Sequence, residues 1–118
     1  MSALSTETTV RAELCRAFAA LVQAYAGVAA FHDKRIAEFE EADDGICIEV
    51  DGAQLKLHFE TLSGQGEWQV TGPFGAYNRG RFELRSDGTL ALDGLITEMD
   101  HAAIDLSALL KKSWGGKK

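Results

Sequence analysis

One proline stands among 118 residues and no low-complexity tract interrupts them, so the chain encodes neither a disordered linker nor a fibrous repeat. Cysteine is nearly as scarce. Cys15 and Cys47 lie 32 positions apart without C-x-x-C spacing, which excludes a redox pair and a zinc site readable from sequence and leaves two reduced, structural thiols. Positive charge is in deficit: twelve Lys and Arg against eighteen Asp and Glu give −6, the wrong sign for gripping a phosphate backbone, so nucleic acid is not an expected partner. Long apolar runs are missing too. The longest, Ala17 to Phe31, is interrupted by Gln23 and reads as too short and alanine-rich to cross a bilayer, so no membrane partner is expected. Ala24-Tyr25-Ala26 offers a small-x-small pattern that leaves residues 1–26 open as a signal peptide, but Glu7 and Glu13 and the helical periodicity favour cytoplasmic residence. Walker spacing, an EF-hand loop and a G-x-S-x-G elbow are all lacking, and His32, His58 and His101 sit singly. With no catalytic set and no cofactor motif, the sequence reads as non-enzymatic.

What is present is periodicity within a length suited to one domain, 1–118, with one core. Val10, Leu14, Phe18, Leu21, Val22, Tyr25, Val28 and Ala29 recur at spacings of three and four and predict an amphipathic helix over about 6–31. Ser5 or Thr6 would cap it, Glu7 would occupy its first turn, and a break is expected near His32-Asp33. Strands are expected over about 34–42, 45–51, 53–61, 67–72, 80–85 and 89–95, and a second helix over about 100–114. The second helix would have Asp100 as its cap, Ala103, Leu106, Leu109 and Leu110 on one face, and Gly115-Gly116 as its stop. The fold class is therefore α+β, an antiparallel five- or six-stranded meander with an N-terminal and a C-terminal helix packed on one face.

Two hairpins fix registers. A two-residue Asp51-Gly52 loop sets Val50 opposite Ala53, Ile48 opposite Leu55 and Ile46 opposite Leu57, with every apolar side chain on one face. For the second hairpin a two-residue loop sets Leu90 against Arg85. A three-residue Ser86-Asp87-Gly88 loop with Gly88 left-handed pairs Leu84 with Leu90 and Phe82 with Leu92 instead. Between them, Trp68 and Val70 mark a strand after a Ser63-Gly64-Gln65-Gly66 turn, and Gly72 to Gly80 reads as a long loop.

Three features are candidate sites. Glu38, Glu40, Glu41, Asp43, Asp44, Glu49 and Asp51 place seven carboxylates in 14 residues without one base, so the remaining 104 residues sum to +1. Such a hairpin can be a solvated edge that repels other strands, a docking surface for a basic protein, or, through Glu40, Asp43 and Asp44, a site for a hard cation. The loop from Gly72 to Gly80 carries Phe74, Tyr77 and Arg79, residue types favoured at binding hot spots; otherwise one aromatic folds back to plug the sheet. Arg79, Arg81 and Arg85 can hold an anion, meet the acidic hairpin of a second copy, or pair with Glu67, Glu83 or Asp93 across strands.

In element order alone the chain looks like bacterial secretion chaperones and is similar to frataxins, though it lacks the central helix of the former and the Asn/Gln/Trp-rich strands of the latter, so neither resemblance transfers residues. The functional expectation is a small interaction module, of adaptor, chaperone-like or immunity type. It would bind a protein partner through Glu38, Glu40, Glu41, Asp43 and Asp44, with Phe74, Tyr77, Arg79 and Arg81 as further contacts and a homodimer possible. The alternative is a small-ligand or divalent-cation binder using the acidic hairpin or a pocket in the 72–80 loop.

Overall fold

A computed structural model describes residues 3–60, 63–75 and 77–114. Helix α1 (Ala3–His32) leads into β1 (Ala37–Ala42), β2 (Gly45–Val50), β3 (Ala53–Glu60), β4 (Gln65–Thr71), β5 (Tyr77–Leu84), β6 (Thr89–Leu92) and β7 (Leu95–Glu98), and α2 (Met99–Ser113) follows. The strands form one antiparallel sheet in chain order, with seven members rather than five or six. The added strand comes from Asp93-Gly94, which falls inside the last expected strand, 89–95. With φ of 51° and 91° these residues make a tight turn that pairs Leu92 with Leu95. The alternation that should betray β7 is absent because Leu95 and Ile96 are both exposed, at 76% and 63%.

The first hairpin keeps the register its alternation demands, Val50 against Ala53 and Ile46 against Leu57. In the other, Gly88 takes φ 89° and Leu84 faces Leu90, with Phe82 facing Leu92. These pairings gather Ile46, Ile48, Leu55, Leu57, Trp68, Val70, Phe82, Leu84 and Leu90 into one buried cluster. Phe82 is its aromatic centre, edge-to-face with Phe18 of α1 at 5.3 Å and with Phe59 at 5.7 Å, each such pair adding about 0.5–1.5 kcal/mol beyond area burial.

Several boundaries differ from expectation. Helix α1 already runs from Ala3, so Ser5 and Thr6 lie within it and Glu7 falls outside its first turn. Its buried stripe is Cys15, Phe18, Ala19, Val22, Ala26 and Ala30, whereas Val10 and Val28 are exposed; alanines on the inner side let the helix approach closely. The helix ends in a left-handed Lys34 at φ 60°, with Arg35 N–H donating to the Ala30 carbonyl and Lys34 N–H to that of Phe31. That is the geometry glycine usually supplies, and it delays β1 from residue 34 to Ala37. The turn before β4 ends at Gly64, Gln65 and Gly66 being in the strand; β5 begins at Tyr77, so residues 77–80 of the expected loop belong to a strand. Gly80 lies in the strand opposite Trp68, where a methyl group would overlap Asp93 Oδ1 and Trp68 Nε1. At α2 the cap position is Glu98, without a side-chain bond, and Asp100 lies in the first turn, where it acts on the helix dipole. Thr61 and the proposed stop at Gly115-Gly116 lie outside the described residues.

Both helices pack on each other and on the apolar face, α1 along β1 and β2 and α2 under β3, β4, β6 and β7. By length and composition alone, the 24 residues Thr9–His32 are enough to cross a membrane, which corrects the expectation drawn from Ala17 to Phe31. In the fold their inner stripe is used as a core helix.

Candidate functional site

Because side chains alternate across a strand, the residues that do not face the helices form a second, uncovered surface. The register arranges it in rows. Glu40, Cys47, Lys56, Gln69 and Arg79 are successive cross-strand partners from β1 to β5. Beside them run Ala42, Gly45, His58, Glu67 and Arg81, and on the other side Glu38, Glu49, Gln54, Thr71 and Tyr77. The side chains at Gly45, Ala42 and Cys47 are small, and a concavity of about 680 Å³ opens above them, with Glu40 and Asp44 at one flank and Arg79 and Arg81 at the other. A neighbouring hollow of about 500 Å³ continues over Glu67, Glu83 and Ala91.

Charge on this face is uneven: β1 and β2 carry carboxylates without a base, whereas β3 to β5 mix bases with Glu60, Glu67 and Glu83. Glu38, Glu40 and Glu49 occupy β1 and β2, while Lys56, Arg79 and Arg81 occupy β3 and β5. Among the described residues none of these six belongs to an ion pair. Four strand steps separate Glu40 from Arg79, roughly 19 Å, too far for direct pairing. Asp44 is anchored by His58, whose Nε2 stands 3.1 Å from Asp44 Oδ2 across an exposed contact. Arg81 lies opposite Glu67 in the ladder, one of the cross-strand placements expected for it. The Cys47 thiol on the groove floor is pushed up chiefly by burial, opposed by Lys56 and reinforced by Glu40 and Glu49, a direction that favours the protonated form.

The acidic stretch does not act as one cluster. Alternation sends Glu38 and Glu40 to the open face, while Glu41 accepts a hydrogen bond from Gln23 of α1 at 3.3 Å. Asp43 is exposed in the turn and Asp51 pairs with Arg35. Among the described residues no three His, Cys, Asp or Glu side chains gather to hold a metal ion, so Glu40, Asp43 and Asp44 do not converge. Phe74, 86% exposed, and Tyr77, 53% exposed, plug nothing and line neither hollow. Lys56 and Gln69 were not singled out from sequence and Cys47 was read only as a structural thiol, although the first hairpin's register already placed Cys47 and Lys56 side by side on the polar face.

The molecule is thus an α+β domain whose antiparallel meander is covered by helices on one face and open on the other. Compared with protein-family models, curated proteins and solved structures, the chain has no significant match.

Proposed function

We propose that this protein is a non-enzymatic interaction module that docks a basic protein surface on the acidic half of its uncovered sheet face. The observation that carries this reading is the segregation of Glu38, Glu40 and Glu49, exposed or half-exposed and without ion pairs among the described residues, onto one half of that face. Glu41 and Asp43 add charge at the rim. Unpaired surface charge of one sign mainly accelerates and orients encounter with the opposite sign, and it is screened by salt. A partner co-purified from the native host should be released as salt rises and should be lost from the doubly charge-reversed Glu38→Lys, Glu40→Lys protein. A partner retained under both conditions removes the reading.

A second reading is favoured by the groove itself. About 680 Å³ lies within the range of about 300–1,000 Å³ common for ligand sites, and its flanks carry opposite charge. An extended amphoteric molecule such as a short peptide, long enough to bridge the roughly 19 Å between the flanks, suits that arrangement better than a divalent cation. Thermal shift against a panel of short peptides with opposite charges at their two ends, repeated on Arg79→Ala, tests it; a flat response across the panel eliminates this ligand.

A further inference from the structure

Strand β1 is one border of the sheet, hydrogen-bonded on one side only, to β2. Its two-residue turn makes Ala42 and Gly45 the closing pair, so by the alternation of an antiparallel ladder residues 38, 40 and 42 bond to β2. The N–H and C=O groups of Phe39 and Glu41 then point away from the sheet, and no other backbone bond among the described residues engages them. The helix above this border is apolar where it need not be. Ala17, Ala20, Ala24, Val28 and Phe31 recur at spacings of three and four and are all exposed, forming a second stripe on α1 that the core does not use. Val28 is 54% exposed, Phe31 80%, and Phe39 of β1 remains 47% exposed. The stripe runs beside β1. Gln23 bonds Glu41, and a methyl at Gly27 would touch the Phe39 ring at 3.5 Å, so residues 20, 24, 28 and 31 flank the turns of α1 that lie over the strand.

We infer that β1 accepts an added strand from a partner, an extended segment in which basic residues alternate with apolar ones. Backbone pairing would use Phe39 and Glu41. On the helix side, the segment's apolar residues fill the angle between Phe39 and the stripe of Val28 and Phe31. On the open side, its basic residues stand next to Glu38 and Glu40, where alternation puts every second side chain. A second copy of this chain fits less well: β1 against β1 opposes carboxylates, and the other border, β7, contributes Leu95, Ile96, Thr97 and Glu98 without a cation.

This inference rests on the reading of a basic partner, and the test separates the two. Two synthetic peptides of equal composition are compared, one alternating lysine and valine, the other with its lysines and valines in separate blocks. The alternating peptide should bind at least about tenfold more tightly, and it should slow hydrogen exchange at the amides of Phe39 and Glu41. Glu38→Lys with Glu40→Lys should abolish that binding, and the exposed Val28→Asp should weaken it without unfolding the protein. Equal, salt-sensitive binding of both peptides with no protection at residues 39 and 41 overturns strand addition but leaves the acidic surface as a docking site. No saturable binding of either peptide overturns both. Protection of Phe39 and Glu41 that grows with protein concentration alone identifies a second copy as the occupant and overturns the stated partner chemistry.

Discussion

The Arg35 guanidinium stands 5.4 Å from the centre of the Trp114 ring while pairing with Asp51, so one side chain ties the α1–β1 connection to the β2–β3 turn and to the end of α2. Its side chain is 17% exposed and that of Asp51 47%, an environment between the weak surface pair and the costly buried one. Arg35→Ala is expected to lower stability by about 1–2 kcal/mol in chemical denaturation, and a double-mutant cycle with Trp114→Ala to show coupling of about 1 kcal/mol. Arg35→Lys should restore the charge pair but not the flat stacking contact. Additive single effects would show that the ring contact contributes nothing.

Trp68 and Asp93 form the other cross-link. The indole Nε1–H donates to Asp93 Oδ2 at 3.3 Å, and the Arg81 amide donates to Oδ1 at 2.8 Å. Asp93→Ala leaves both donors unsatisfied and should cost about 1–3 kcal/mol. Asp93→Asn keeps an acceptor and tolerates φ 51°, and should cost less. Gly80→Ala forces a methyl into the same pair and should cost about 2–3 kcal/mol. Unfolding monitored by far-ultraviolet circular dichroism ranks the three.

Acid should act on the β5–β6 turn. The Asp87 carboxyl is held below its ordinary 3.8, first by the Thr89 hydroxyl and then by the Thr89 amide, both of which donate to it. A depressed folded value means the stabilisation is complete above the unfolded pKa and disappears as pH falls through the folded one. The stability gap between the native protein and Asp87→Ala should therefore be constant near neutrality and close below about pH 3.8. A gap that persists in strong acid would show that the carboxylate is not its source.

The two thiols should differ in access rather than in activation. Burial leads in raising both, and Cys15 is only 4% exposed. Iodoacetamide should modify Cys47 slowly at neutral pH and faster above about pH 9, with Cys15 reacting only after unfolding. Rapid modification of Cys47 at neutral pH would contradict a protonated groove floor.

How far the sequence could be read depended on whether burial left its mark. Ile46, Ile48, Leu55 and Leu57 alternate because one face is buried, so their register followed directly. The β6–β7 hairpin escaped notice although Asp93-Gly94 repeats the signal of Asp51-Gly52, because Leu95 and Ile96 face water and carry no alternation. Helix α1 misled for the opposite reason: its apolar residues serve two stripes, and only the inner one is packed. The carboxylates looked like a cluster because they are adjacent in sequence, while strand alternation parts Glu40 from Glu41 and the turn draws Asp44 to His58. The groove needed four registers at once, and only the one between β2 and β3 was available for the strands that form it.

Neighbouring strands are also neighbours in the chain throughout this sheet. Every strand pairing closes a short loop, and the distant closures belong to the helices, α1 upon α2 and β5 and α2 upon β3 and β4. Ladder formation should then be fast and local, whereas the packing of α1 on α2 waits until all seven strands have been made. During synthesis α1 emerges well before its partner α2. Throughout elongation a nascent α1 is a target for any factor that recognises exposed apolar helices.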